Sequence, residues 1–385
     1  MLWYALALFL RPFIIVKSNR IILWSYNFNK YACNPKAISD YIINNHPGEF
    51  EVIWAFNKHI NLNNIDKRVK IVKKYSLRYI YALYSSKFII TNARNNKHDS
   101  LFLKKWNQKY IMTWHSSIRL KKIERDAEIQ LGDYYVKVAK QDSKMCDLML
   151  SNSTYYTKQI PTTFWYYGEI LEQCIPRNDI FYNQILIDEY RYNTRKTYNI
   201  GDEEIIVLYA PTFRNKIQDL DIYNINWTEI TTTINKRFKK GVKVFIKLHP
   251  NLINLKNFHT IITSDNVIDV TQAGDITPFL FASDIVITDY TSAMFDCAII
   301  NKPCFIYAKD YKDYDRGFYW ELKDLPFPIA YSDNELNNNI NNFNNETYLK
   351  NIRDFKDSFW GLNEDGKACE RLYNWIKKNR ECSTL

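Results

Sequence analysis

Glycine is scarce in this chain, with nine in 385 residues. No glycine-rich dinucleotide loop is present, and so few glycines disfavour that class of binding protein. The seven cysteines (33, 146, 174, 297, 304, 369 and 382) show neither pairing nor metal-ligand spacing. Cys297 and Cys304 fall in apolar runs as small core residues. That usage suits a reducing cytoplasm better than secretion. A convincing secretory signal is missing too, because no basic segment precedes the apolar run 2–10 and Arg11-Pro12 interrupts it. Residues 1–16 are too few for a membrane span, which needs about 20 apolar residues. Trp3, Tyr4 and Arg11 suit a helix lying among lipid headgroups. A helix packed on its own domain accounts for the same residues. Internal repeats are absent, as is any module for reading nucleic acid.

What is there points to two domains, since single cores rarely grow beyond roughly 250–300 residues. A composition 46% hydrophobic and 16% aromatic supplies material for two cores and excludes a disordered chain. Lys and Arg number 52 against 42 Asp and Glu, a net charge of +10. Such an excess favours anionic partners: nucleotides, phosphorylated sugars or acidic lipid surfaces. Nucleic acid is not expected, because the basic residues are spread out.

Apolar runs of strand length alternate with helical ones. Strands are expected at residues 21–24, 51–56, 69–72, 88–91 and 110–113, with helices at 36–45 and 76–86. A second series places strands at 204–209, 242–248, 267–270, 285–288 and 304–307, with helices at 276–282 and 293–300. This alternation implies parallel sheets covered on both faces. Residues 119–144 read as a charged helical region at the surface, and the asparagine-rich tract 337–345 as a surface connection. The expected division is an N-terminal domain over 1–180, a linker over 181–202 and a second domain over 203–360. A C-terminal helix in 361–385 would pack back on the N-terminal domain. Two consecutive βα domains, polar at their strand ends, are expected to face one another across a cleft.

The stretch 283–316 holds the centre of the chemistry. It reads as strand, polar turn (Asp289 to Ser292), helix and strand, the crossover unit of a parallel sheet. Unpaired backbone N–H groups at that turn, with the Thr291 and Ser292 hydroxyls, make a receptor for phosphate oxygens. Helix capping by either residue accounts for the same spacing. His115 follows a strand between Trp114 and two serines, and imidazole is the natural general base near neutral pH. His249 also follows a strand. Two histidines at equivalent strand ends are a stronger signal than either alone, although a structural role suits each singly. Arg214 closes Ala210-Pro211-Thr212-Phe213-Arg214, where its fork could take a phosphate or remain a solvated loop charge. Asp289 is placed to orient a base, bind a sugar hydroxyl or cap a helix. Lys302 reads as a cation at a helix end, and Arg177 with Asp179 as an ion pair.

The ordered set of motifs resembles the CDP-glycerol glycerophosphotransferase family, the teichoic acid primases and polymerases and their capsule-assembling relatives. The residues that carry the likeness are Asn34-Pro35-Lys36, Thr113-Trp114-His115 with Lys121, and Pro176-Arg177-Asn178-Asp179. Further on come Tyr209 to Arg214, Leu248-His249-Pro250, and Ser283-Asp284 through Asp289-Tyr290-Thr291-Ser292 to Phe295-Asp296. Asn301-Lys302-Pro303, Arg316-Gly317-Phe318-Tyr319 and Asp365-Gly366-Lys367 complete it. The resemblance implies a glycosyltransferase-B-like α/β architecture of two Rossmann-like domains. It implies transfer of glycerol phosphate or another polyol phosphate from a CDP-activated donor to a lipid-linked or polymeric glycan, with release of CMP. By the same likeness His115 is the base, and His249, Arg214, Asp289, Thr291, Ser292 and Lys302 serve the donor phosphates. Trp114, Ser116 and Lys121 lie on the acceptor side. No metal or cofactor is expected, and the location is the inner face of the cell membrane. The chain departs from the family in having Ser116 where glycine usually follows the histidine, no proline before Lys121, and Phe327 in place of a glycine. These departures bear on the acceptor more than on the reaction. A capsule transferase using CDP-ribitol or a nucleotide sugar is the rival enzyme, and a non-catalytic anion-binding membrane scaffold is the rival outside catalysis.

Overall fold

The computed structural model of the protein describes residues 2–57, 65–116, 118–212, 214, 223–248, 266–314 and 317–381. The chain divides into two compact units. One comprises Met1–Ser117, Ile123–Tyr182 and Leu362–Leu385, and the other Ile118–Lys122 and Asn183–Gly361.

The first unit is built on seven strands: β1 (Lys17–Trp24), β2 (Glu51–Phe56), β3 (Lys70–Lys73), β4 (Ser86–Thr91), β5 (Lys109–Met112), β6 (Leu148–Leu150) and β7 (Glu169–Leu171). Their order is β3-β2-β1-β4-β5-β6-β7, with every pairing parallel. Successive side chains of a strand point to opposite faces, so β1 feeds two cores. Ile21 and Leu23 join Trp54, Phe88 and Ile111 on one face, under the helices Cys33–Asn45 and Ala368–Glu381. Ile22 and Trp24 join Ile53, Ile89 and Tyr110 on the other, under Leu77–Ser85 and Leu2–Leu10. Both faces are therefore apolar, which is why the strands read as continuous hydrophobic runs.

The second unit carries six strands: β8 (Ile205–Tyr209), β9 (Val242–Ile246), β10 (Val267–Asp269), β11 (Ile285–Thr288), β12 (Cys304–Tyr307) and β13 (Ile329–Ala330). The order is β10-β9-β8-β11-β12-β13, again all parallel. Strand order reverses once in each sheet, between β1 and β4 and between β8 and β11. Such switch points open a crevice beyond the carboxyl ends of the strands, where ligands of open α/β sheets bind.

Several local expectations are corrected. The region 119–144 is helical at Glu124–Gln130 and in the α-helix Asp133–Met145, but it is not all surface. Ahead of the α-helix Glu124 is buried, with its carboxylate 2.8 Å from the Arg94 guanidinium, which also meets Asp142 at 3.3 Å. The buried Arg94 draws this segment inward. Part of the asparagine-rich tract lies in the helix Asp333–Asn341, which buries Leu336 and Ile340 in the core of the second unit. Asp179 makes a helix cap in place of an ion pair with Arg177, accepting from the backbone N–H groups of Ala368 and Cys369 at 2.8 Å each.

Glu364 ties the same corner together. Its carboxylate accepts from Asn152 (2.6 Å), Asn178 (2.8 Å) and the Tyr182 hydroxyl (3.1 Å). Burial pushes its pKa up from 4.5 to about 7, against the opposing pull of those bonds. The folded state thus holds a proton that the unfolded chain releases between about pH 4.5 and 7, so stability falls as pH rises through that window. Glu364→Gln keeps the shape without the charge. It is expected to raise the thermal midpoint at pH 8 by several degrees, on the order of 2–3 kcal/mol, and to leave it nearly unchanged at pH 4. Thermal melts at the two pH values check this.

Candidate active site

The carboxyl ends of β1, β4 and β5 converge on His115. β5 ends at Met112, and the Thr113 N–H still donates to the Thr91 carbonyl at 2.8 Å. Trp114 then turns the chain through a left-handed backbone conformation, φ 52°, while its side chain stays buried in the core. His115 Nδ1 lies 3.2 Å from the carbonyl oxygen of Asn92, the residue that follows β4. The carbonyl can only accept, so Nδ1 is the donor, and a neutral ring in that tautomer carries its lone pair on Nε2. That is the atom a general base uses. The ring stacks on Trp114 with centroids 4.5 Å apart, and the Tyr26 ring lies at 6.1 Å. The Tyr26 N–H, just after β1, donates to Asn92 Oδ1 at 2.9 Å. Asn92 and Tyr26 carry no sequence signal beyond standing at the ends of expected strands.

Of the residues expected on the acceptor side, Trp114 and the buried Ser116 lie with His115 in the first unit. Lys121 does not. It belongs to a five-residue strap of the second unit and forms an antiparallel bridge with Phe318. The Lys122 N–H donates to Gly317 and the Tyr319 N–H to Leu120, both at 2.8 Å.

The second gathering of polar groups lies at the switch point between β8 and β11. Asp289 accepts from the Thr212 N–H (2.8 Å), the Thr212 hydroxyl (2.7 Å) and the Tyr290 N–H (2.5 Å). The carboxylate thereby joins the ends of the two strands. Arg214, expected on the donor phosphates, lies at this same turn with its guanidinium against carboxylates. Its guanidinium meets Asp289 at 2.8 Å and grips Asp310 at 2.6 and 2.9 Å. It also lies over the rings of Tyr290 and Tyr314, 4.9 and 5.0 Å from their centroids. One cation serves two carboxylates, so Arg214 braces the turn. Asp310, which also accepts from the Tyr290 hydroxyl at 2.9 Å, was missed in the sequence. Its only signal is a position three residues beyond β12.

Thr291 and Ser292 are half-buried at the start of the helix Ala293–Ile299. Ser292 makes no side-chain cap, and Thr291 Oγ1 is 3.4 Å from the Ala293 N–H. Lys302 does not join them. Its ammonium donates to the carbonyls of Ser283 and Phe281, at the C-terminal end of the helix Thr277–Ala282. Ser283 precedes β11, so Lys302 lies at the opposite end of that strand from the Asp289 turn. It is a helix-end cation, as its chemistry allows, with burial lowering its pKa to about 8. His249 lies outside the described residues. Among the described residues no group of three or more His, Cys, Asp or Glu side chains could hold a metal ion.

Two parallel sheets, each with polar groups gathered at its switch point, define a glycosyltransferase-B-like α/β protein. The chain belongs to the family described as CDP-Glycerol:Poly(glycerophosphate) glycerophosphotransferase, which matches residues 4–378. It is 29% identical over 381 residues to a teichoic acid poly(glycerol phosphate) polymerase of Staphylococcus epidermidis, covering 94% of this chain and 51% of that protein. A teichoic acid glycerol-phosphate transferase of Staphylococcus aureus is 28% identical over 373 residues, covering 94% of this chain and 93% of its own length. The chain thus spans about half the length of the first relative and nearly all of the second. Among solved structures, a histidine-to-asparagine variant of the wall teichoic acid polymerase TagF soaked with CDPG superposes with a TM-score of 0.84. It is 26% identical, covering 100% of this chain and 94% of that one.

Proposed function

We propose that the protein transfers glycerol phosphate from CDP-glycerol to a hydroxyl of a lipid-linked or growing polymer of the teichoic acid type, with release of CMP. Family membership supports the reaction class. The observation that carries the chemistry is the bond from His115 Nδ1 to the Asn92 carbonyl at the first switch point. In this reaction the acceptor oxygen attacks the phosphorus that bears glycerol. Its new P–O bond replaces the bond to the bridging oxygen, which leaves with CMP. The acceptor proton passes to His115 Nε2. Charge on the departing phosphate needs preorganised donors, assigned here to His249, the Thr291 and Ser292 hydroxyls and the N–H groups of their turn. Arg214 acts by bracing that turn. The proposal includes no metal or cofactor.

A lipid-linked acceptor would hold the enzyme at the inner face of the membrane. Among the described residues no helix is long and apolar enough to cross a bilayer. The helix Leu2–Leu10 has no charged residue, and a helix apolar all round needs cover on every side. Its inner side packs on the core through Ala7, Trp3 and Tyr4. Leu2, Phe9, Phe13 and Ile15 stand outward, 68 to 83% exposed, and Trp106 is 92% exposed. Arg11 and Lys105 line a groove with Ile15 and Trp106, and Lys17 lies close in sequence. An apolar face with a basic rim complements an anionic phospholipid surface.

Incubation with CDP-glycerol or CDP-ribitol and candidate acceptors, with products read by mass spectrometry, tests the reaction. A glycerol-phosphate product is expected; no CMP with any donor and acceptor would reject the reading, and a ribitol-phosphate product would reassign the donor. Co-sedimentation with phosphatidylglycerol vesicles tests the surface. The triple variant Phe9→Ser, Phe13→Ser, Trp106→Ser is expected to bind at least about tenfold more weakly, given roughly 1.5–3 kcal/mol per buried large side chain. Unchanged binding excludes this face.

A further inference from the structure

The motif Asn34-Pro35-Lys36 has no part in the chemistry set out above, yet Asn34 reaches the base. Asn34 opens the helix Cys33–Asn45 and is wholly buried. Its Nδ2 donates to the Trp114 carbonyl at 3.0 Å and, more weakly, to the Thr113 carbonyl at 3.4 Å. Its Oδ1 accepts from the Arg177 N–H at 2.9 Å. One amide thus joins three segments that lie far apart in sequence. The Trp114 carbonyl and the His115 N–H belong to one rigid peptide plane. Whatever fixes that carbonyl fixes the plane from which the His115 side chain departs.

The plane needs holding. Trp114 is a bulky residue in the left-handed region, φ 52°, a conformation that costs roughly 1–2 kcal/mol without glycine. Two donors converge on its carbonyl, the Asn34 amide and the Thr113 hydroxyl at 3.0 Å. The ring itself is oriented at its Nδ1 by the Asn92 carbonyl, and its position follows the backbone that carries it. Asn34 bonds backbone on both sides and lies away from solvent, so a direct role on substrate is not available to it.

We propose that Asn34 is a positioning residue for the transfer reaction, its amide gripping the peptide plane that carries His115; this rests on His115 being the base. Displacement of a catalytic group by about 1 Å can cost on the order of a hundredfold in rate. Asn34→Ala is therefore expected to lower kcat about 10- to 100-fold while the KM for CDP-glycerol changes less than about threefold. The decisive variant is Asn34→Ala combined with His115→Ala. A residue acting only through His115 adds nothing once the imidazole is gone, so the double variant should be as slow as His115→Ala alone. An unchanged kcat in Asn34→Ala, or losses that multiply in the double variant, would overturn the inference. If Asn34→Ala does not fold, Asn34→Asp serves instead: it is isosteric, can still accept from Arg177 and loses the donor when ionised. Wild-type turnover of CDP-glycerol is the reference. Its absence would remove the transferase reading and this inference together, whereas failure of the epistasis with an active wild type removes only the inference.

Discussion

His115→Ala is expected to slow CMP release by about 10²–10⁴-fold, the range in which a positioned general acid or base contributes, while the dissociation constant for CDP-glycerol stays within a few fold. The acceptor hydroxyl is a poor nucleophile until its proton has somewhere to go. The Asn92 carbonyl holds the ring so that the lone pair of the neutral form sits on Nε2. Alanine removes that acceptor but none of the groups proposed to hold the donor, which belong to the other unit. His115→Gln tests the same point more gently, since it keeps hydrogen-bonding capacity without a usable base. Stopped assays of CMP formation, with donor binding measured by calorimetry, separate the outcomes. Turnover near the wild-type rate in both variants would remove His115 from the reaction. Loss of donor binding in step with loss of rate would make it a binding residue.

Arg214→Ala is the substitution expected to cost most in stability. Its guanidinium is 12% exposed, and the carboxylates it serves, Asp289 and Asp310, are 4% and 16% exposed. Removing one partner from a buried ionic cluster leaves uncompensated charge and costs about 3–5 kcal/mol. In a unit of this size that corresponds to roughly 6–20 °C in thermal midpoint. Asp310→Asn in the same chain should recover part of the loss, because a single carboxylate then remains. The pH dependence carries its own sign. Burial alone would raise the pKa of Asp310, but hydrogen bonds and charge from Arg214 outweigh it and hold the group below its ordinary value. A depressed folded pKa gives stability that is present above the unfolded value and lost as pH falls through the folded one. Without Arg214 the burial effect is opposed only by the remaining hydrogen bonds, that from the Tyr290 hydroxyl among them, so the gap between wild type and variant should narrow between pH 7.5 and pH 4. A gap that stays constant would show that the cluster does not carry the charge compensation described. Donor affinity should weaken as well, because Asp289 would no longer be held against Thr212 and Tyr290 at the turn.

Much of the fold is legible in local pattern. Strands buried on both faces read as short apolar runs, and those at 51–56, 88–91, 285–288 and 304–307 appear within two residues of where they were expected. The edge strands β7 and β13, of three and two residues, are too short to impose any pattern. The tract at 337–345 misleads for a related reason: its composition is polar, yet Leu336 and Ile340 at i and i+4 suffice to pin a helix to the core. The position of His115 at a strand end was equally legible, because the run at 110–113 stops just before it.

The sequence by itself determined the two series of buried parallel strands, the polar residues that end them and the family to which their order belongs. Only the tertiary structure decided who pairs with whom. Arg214 meets Asp310 across 96 positions, Asn34 meets Trp114 across 80, and Glu364 meets Asn152 across 212. Lys302, ten residues beyond Ser292 in sequence, is carried to the far end of β11. Periodicity reports whether a residue is buried and which face it occupies, both local properties. Charge partners at strand ends depend on strand order, and that order is set by crossovers that bring β8 beside β11 and β1 beside β4.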